Sequence, residues 1–147
     1  MEQESQEALV DNAYRITYEL PHNFLEVKIK GFLTFEKYKS CWTQVLDLLE
    51  VKGCKALLID LSEAQVITME SQQWLQEVYF PRMYELPQFD ELRVVRVLSE
   101  NVFVQISIEN IDRNREADQD TYPKQAKDFT SRADAVEWLL QTTESGR

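Results

Sequence analysis

A short apolar segment followed closely by a helix start is the feature that most constrains this chain. Residues 56–62 read ALLIDLS, and residues 67–71 read ITMES. A run of large apolar residues with a polar end is typical of a strand buried on both faces, as in a parallel sheet. In open α/β folds, ligands and partners bind at the carboxyl ends of such strands. The sequence therefore predicts an α/β fold whose functional rim starts at Asp60.

The segment before this strand predicts a hairpin and a helix. Residues 14–20 and 24–31 alternate apolar and polar side chains around a Pro-His-Asn turn, which indicates two antiparallel strands. Thr34 is then a predicted helix N-cap, and the apolar stripe that follows it stops at Gly53. We expect this helix to pack on the sheet.

The segment after the buried strand continues the alternation of helix and strand. A second helix starts near Thr68 and meets Pro81, whose missing N–H should kink or end it. Residues 92–98 predict another strand. Residues 100–115 fit the spacing of a strand and of a helix, and we favour a helix.

The C-terminal part predicts one more strand, over residues 125–129, and a final helix capped by Ser131. The predicted order is ββαβαβαβα, a mixed and partly parallel α/β sheet of about five strands with helices packed on it. We expect a single domain over residues 1–147, because a chain of this length can bury a sizeable core. Residues 1–11 and 143–147 are predicted to be flexible tails.

Charge and composition exclude several classes of function. The formal net charge is −10 and no long cluster of Lys and Arg offsets it, which argues against nucleic acid as a partner. A single histidine, His22, and only three glycines leave no catalytic triad, metal site or phosphate-binding loop to assemble. We therefore predict no catalysis, no metal and no cofactor.

The same composition bears on where the protein acts. No apolar run is long enough for insertion into a membrane. The chain starts with acidic and polar residues, and its two cysteines lack CxxC spacing. These features predict a cytoplasmic protein with reduced thiols.

The order of elements and several short motifs resemble a known family. The likeness extends over about residues 12–141 and rests on residues 60–62 (DLS), 69–71 (MES), 80–81 (FP), 129–131 (FTS) and 135–139 (AVEWL). Together they resemble the SpoIIAA-like group of STAS-type domains, whose namesakes antagonise anti-sigma factors. This resemblance implies a non-catalytic regulatory module that binds a protein partner.

The resemblance also implies a regulatory serine, and the sequence departs from it there. In that family, a partner kinase phosphorylates a serine at the start of the helix that follows the D-L-S strand. The matching position is Gln72, and an amide cannot take the phosphoryl group. Ser62, Thr68 or Ser71 could substitute, but capping and loop hydrogen bonds are the favoured interpretation of these hydroxyls. The predicted partner-binding rim comprises Asp60, Ser62, Glu63, Thr68, Glu70, Ser71 and Gln72.

A second candidate surface lies around Pro81 and Pro87, where aromatic residues are denser than one helix easily buries. They form either ordinary core, or a homodimer contact, or the wall of an apolar pocket. A pocket would make the protein a carrier or sensor of a small apolar ligand or lipid, which is the alternative to protein binding. The aromatic residues around the prolines include Tyr79, Phe80, Tyr84 and Phe89, and the ligand would lie between the helix around Trp74 and the segment around Phe103. The residues predicted for the dimer contact or the pocket are Trp74, Tyr79, Phe80, Tyr84 and Phe103.

Overall fold

A six-stranded sheet organises the chain, and each strand pairs with its neighbours in sequence. The computed structural model describes residues 5–10, 13–19, 22–116 and 125–145, with side chains over residues 13–19, 22–101, 105–113 and 125–140. The strands are β1 (Ser5–Val10), β2 (Tyr14–Glu19), β3 (Phe24–Gly31), β4 (Ala56–Ala64), β5 (Arg93–Val97) and β6 (Gln125–Phe129).

The sheet is mixed, as the sequence predicted. β1, β2 and β3 form an antiparallel meander, whereas β3, β4, β5 and β6 pair in parallel. The sheet has one strand more than the five or so expected, because residues 5–10 form β1 where a flexible tail was predicted. An edge strand pairs on one side only and accepts polar residues. The polar residues at the start of this segment therefore gave no sign of a strand.

Helices connect and cover the strands. The described helices are α1 (Phe35–Lys52), α2 (Met69–Trp74), α3 (Phe80–Tyr84), α4 (Val102–Glu116) and α5 (Arg132–Ser145). The ambiguous segment 100–115 is thus helical, and α5 extends into the predicted C-terminal tail. Within these ranges, no helix is both long and apolar enough to cross a bilayer.

The predicted signals at both ends of α1 are confirmed. Thr34 has an extended backbone, and its hydroxyl accepts the N–H of Lys37 at 3.2 Å. Gly53 adopts the left-handed conformation with φ 66°, and its N–H donates to the carbonyl of Leu49 at 2.9 Å. Glycine takes this conformation without the steric penalty of a side chain, so the helix ends there.

A buried glutamine fastens the end of α1 to the loop before β5. Gln88 is 8% exposed, and its Nε2 donates to the carbonyls of Leu49 at 2.8 Å and Cys54 at 3.0 Å. One side chain therefore satisfies two carbonyls from the region where the helix ends and the next strand begins.

Both cysteines are buried free thiols, Cys41 in α1 and Cys54 after it. Burial raises the pKa of the Cys54 thiol to about 11, because the thiolate is disfavoured away from water. The Cys54 thiol is therefore protonated at neutral pH and a poor nucleophile.

A π-helical turn, Leu75–Tyr79, joins α2 to α3. The N–H of Phe80 donates to the carbonyl of Leu75, five residues back, and Pro81 follows in the first turn of α3. The wider turn lets the chain pass Pro81, which lacks an N–H, without leaving the helical path. The break predicted at Pro81 is therefore a change of helix type.

Two hydrophobic cores lie on opposite faces of the sheet. On the first, which we call the helical face, α1, α2, α3 and α4 pack over residues such as Leu57. On the second, the α5 face, Ala135 and Leu139 pack with Leu58 and Val95. The helices between β3 and β6 all connect parallel strands that advance in one direction across the sheet, and right-handed connections of this kind place their helices on one face. Helix α5 follows the last strand and connects no strands, so it can cover the other face. It packs mainly over β4, β5 and β6.

We expect Gln88→Ala to lower the free energy of unfolding by about 1–3 kcal/mol, because the buried carbonyl of Cys54 would lose its donor and that of Leu49 would keep only the N–H of Gly53. Urea denaturation followed by circular dichroism measures the change. Gln73→Ala, at an exposed position of α2, is the control and should stay within about 0.5 kcal/mol of the wild type. Equal losses in the two variants would contradict the role given to Gln88.

Candidate functional site

Strand β4 extends beyond Asp60, so the predicted rim begins inside the sheet. Asp60 is 2% exposed, and its Oδ1 accepts the N–H of Ser62 at 3.0 Å and the Ser62 hydroxyl at 2.7 Å. Lys28 Nζ lies 3.7 Å from Asp60 Oδ2 and 3.1 Å from Glu63 Oε2. The bond to Glu63 and the charge of Asp60 raise the pKa of Lys28, although partial burial opposes the shift. Asp60 is therefore a buried carboxylate with its partners already in place.

Helix α2 begins with a hydroxyl cap. Thr68 has an extended backbone, and its Oγ1 accepts the N–H of Ser71 at 3.1 Å. The Thr68 hydroxyl also donates to the Ser71 hydroxyl at 2.9 Å, and Ser71 is 1% exposed. Thr68 thus caps the helix, as the sequence indicated. Because Ser71 is buried, its hydroxyl is not accessible to an enzyme in solution.

The side chain of Gln72 turns into the protein. It is 5% exposed, and its Nε2 donates to the carbonyl of Ile67 at 2.8 Å. The N–H of Ile67 in turn donates to the hydroxyl of Ser107 in α4 at 3.2 Å. The loop over residues 65–68 is therefore bonded to two helices, which fixes the shape of the rim.

The part of this rim that faces solvent is apolar at two positions. Met69 is 71% exposed and Val66 is 45% exposed, on either side of the Thr68 cap. Glu70 is exposed beside Met69 in the sequence. We call Val66, Met69 and Glu70 the exposed rim. It carries two exposed apolar side chains and one carboxylate.

A polar groove opens on the α5 face, between strands β2 and β3 and the start of α5. Its volume is about 360 Å³. One wall is Glu26, 8% exposed, whose Oε2 accepts the guanidinium Nε of Arg132 at 2.9 Å. This pairing raises the pKa of Arg132, against partial burial. Asp60 and Glu63 line the same groove.

The predicted rim residues therefore do not form one surface. They divide between the groove, the capped start of α2 and the solvent. Asp60 and Glu63 lie in the first, Thr68, Ser71 and Gln72 in the second, and Ser62 and Glu70 in the third.

Sequence reasoning missed the cations of the groove, although a signal for three of them was present. The polar positions of β3 alternate as Glu26, Lys28 and Lys30, which puts their side chains on one face of the strand. The hairpin register then sets Arg15 beside Lys28. No local pattern indicates Arg132, since it meets Glu26 across 106 residues of sequence.

The aromatic residues predicted for a dimer contact or pocket divide between core and surface. Tyr79 and Phe80 are 3% and 6% exposed, and they line a cavity of about 80 Å³ on the helical face. Trp74 is half-buried, with its ring centroid 5.6 Å from that of Tyr79, whereas Tyr84 is 47% exposed. Phe103 belongs to α4, and its side chain lies outside the described residues. The dimer contact stays a prediction.

Arg96 closes one side of this cavity. Its guanidinium donates to both carboxylate oxygens of Asp112 in α4, at 3.0 and 2.8 Å, and to those of Asp128 in β6, at 2.8 and 3.0 Å. Burial alone would lower the pKa of Arg96, but the bonds to Asp128 and Asp112 outweigh it and raise the pKa. One arginine therefore joins a helix to the edge strand through two bidentate pairs.

Comparison with known proteins defines the fold. No family model matches the chain, and no curated protein matches it. Among solved structures, an uncharacterised protein of the DUF3478 family from Shewanella loihica PV-4, with a SpoIIAA-like fold, is 22% identical at a TM-score of 0.55. The match covers 89% of this chain and 98% of that one. The chain has a SpoIIAA-like fold. The sequence resemblance is thus confirmed at the level of fold.

Within this SpoIIAA-like fold, the exposed rim follows the carboxyl end of β4. That strand is paired in parallel with both of its neighbours. The carboxyl ends of parallel strands are the usual binding edge of α/β sheets. The exposed rim is therefore the first candidate for a functional surface.

We expect Arg96→Met to lower the free energy of unfolding by about 2–4 kcal/mol, because Asp112 and Asp128 would lose their shared cation in a partly buried place. Thermal and urea denaturation measure the loss. The matched control is Lys55→Met, which removes a cation from an exposed pair with Glu91 and should change stability by less than about 1 kcal/mol. A small effect for Arg96→Met would show that the two bidentate pairs contribute little.

Proposed function

We propose that this protein is a non-catalytic, cytoplasmic protein-binding module, and that its partner binds the exposed rim. The main support is the exposure of Met69 and Val66 on either side of the Thr68 cap. Methionine is enriched in protein interfaces, where its flexible side chain fills a pocket of the partner. A large apolar side chain that is 71% exposed has no role in this protein's own core.

The rigidity of the segment supports the same proposal. Gln72 and Ser107 hold Ile67 by hydrogen bonds, so Val66 is presented from a fixed loop. The cap fixes the first turn of α2, which presents Met69. A surface that is already ordered loses little conformational entropy on binding, and this loss is a main cost of association.

The charge of the exposed rim indicates the chemistry of the partner. Exposed Glu70 directly follows Met69, on a chain with a net charge of −10. We propose a regulatory protein that offers an apolar pocket with Lys or Arg at its edge. Complementary charge would speed the encounter and disfavour acidic competitors.

The resemblance to SpoIIAA-like domains favours a regulatory role but without their usual phosphoryl switch. Gln72 stands at the position of the phosphoacceptor serine, and its amide is used in a bond to Ile67. The neighbouring hydroxyl of Ser71 is buried. We therefore propose that binding is constitutive and is controlled by the abundance of the two proteins.

The carrier alternative has weaker support. The apolar cavity on the helical face measures about 80 Å³, whereas pockets for small molecules usually measure about 300–1,000 Å³. A lipid chain would require α4 to move away from the sheet, against the two hydrogen bonds that Arg96 of β5 donates to Asp112 of α4.

We expect Met69→Glu to weaken partner binding at least about tenfold, because it places a charge at the centre of an apolar contact. A photo-crosslinking amino acid at position 69, introduced in the protein's own cells, first identifies the partner. Titration calorimetry with the purified partner then compares the wild type with Met69→Glu and Val66→Glu.

The matched control is Val51→Glu, at a position 78% exposed in the last turn of α1. It makes the same change of charge and should bind within twofold of the wild type. Equal binding by all variants would place the partner elsewhere.

Native mass spectrometry of the protein from its own cells tests whether binding is constitutive and whether the protein carries a ligand. A phosphoryl group on Ser62, Thr68 or Ser71 would contradict constitutive binding, and a retained apolar molecule would favour a carrier.

A further inference from the structure

Two of the four cations that line the polar groove on the α5 face have no ion-pair partner among the side chains that the structure describes. We propose that this groove binds a small oxyanion, a free molecule bearing a phosphate or carboxylate group, between Arg15 and Lys30. The proposal concerns the face of the sheet opposite the helical core, and it does not rest on the protein-binding function of the exposed rim.

Three cations lie together where the two strands of the hairpin meet. Arg15 of β2 is paired directly with Lys28 of β3 in the antiparallel register, and Lys30 lies two residues further along the same face of β3. Like charges at opposed positions of neighbouring strands destabilise a sheet. Such a cluster therefore needs negative charge near it, in a chain that has 26 acidic and 16 basic residues.

Internal ion pairs compensate for only part of this charge. Lys28 is paired with Asp60 and Glu63, and Arg132 on the other wall is paired with Glu26. Arg15 and Lys30 are both exposed. Among the side chains that the structure describes, neither has a carboxylate within ion-pair distance. Within the described part of the chain, these two cations are therefore available for an anion from solution.

The size and chemistry of the groove suit a small molecule. A volume of about 360 Å³ falls within the usual range of ligand pockets. The guanidinium of Arg15 can bind a carboxylate or phosphate through two parallel hydrogen bonds, and the ammonium of Lys30 adds a mobile point charge. The hydroxyl of Thr17, 8% exposed, lines the same groove and can donate to a bound oxygen.

The carboxylates that line the groove limit the length of the anion. Glu63 is paired with Lys28 and stands opposite Lys30 in the register of β3 and β4. Glu26 stands opposite Thr17, and Glu19 lies two residues further along β2. A polyanion such as a nucleic acid strand would pass over these like charges, whereas a small ion can lie between Arg15 and Lys30 without extending past them. The favoured occupant is therefore a small free anion.

The test is to titrate the ¹⁵N-labelled full chain with inorganic phosphate and to monitor the amide signals by NMR. Added chloride keeps the ionic strength constant throughout the titration. We expect saturable shifts of the amides of residues 15–17 and 28–30. Arg15→Gln and Lys30→Gln should each weaken phosphate binding about fivefold or more, because each removes one of two cations. Lys55→Gln, which removes the same charge outside the groove, should leave the affinity within twofold. A second titration with succinate distinguishes a phosphate ligand from a carboxylate ligand.

Two results would overturn the proposal. One is a set of shifts that never saturates, or that chloride alone reproduces, since this would indicate general screening of charge. The other is an equal loss of affinity in Lys55→Gln and in the two groove variants. Spectra of each variant without added anion report whether the fold is intact, and because the two substituted residues are exposed we expect them to match the wild type away from the changed position.

Discussion

Strand β4 is paired along both edges and buried on both faces, and this constraint organises the molecule. β3 and β5 hold its edges in parallel register. Leu57 and Leu58, both fully buried, point into the two opposite cores. Burying a leucine contributes about 1.5–3 kcal/mol, so each face of this strand anchors a layer of helices. Both candidate surfaces depend on the same strand, because its end supplies Asp60 to the groove and leads into the loop of the exposed rim.

The two surfaces differ in what holds them in shape. Hydrogen bonds to backbone fix the exposed rim, through Gln72 and the Thr68 cap, so its rigidity is local and independent of salt. Ion pairs fix the groove, through Lys28 and Arg132. Such pairs are screened more strongly as ionic strength rises, and the groove is therefore the more responsive of the two surfaces to its surroundings.

Local signals predicted the elements of this fold well, and contacts between distant residues account for what they missed. The caps at Thr34, Gly53 and Thr68 depend on neighbours within four residues, and each was predictable. The burial of Gln72 depends on how α2 packs beside α4, which no local pattern reports. Strand β1 was not predicted, because an edge strand does not need alternating apolar residues. Most of the groove lies on a predicted hairpin, but Arg132 joins it only when the chain closes on itself.

The order of strands across the sheet is also their order along the chain. Each new strand can therefore dock on the one made just before it, and no early strand must wait for a late partner. During synthesis, residues 13–72 complete the capped start of α2 and most of the groove before β5, β6 and α5 have been made. The last helix then arrives with Arg132, which neutralises Glu26. Until that point the carboxylate of Glu26 lacks its cation, so this wall of the groove is complete only when the last helix has been made.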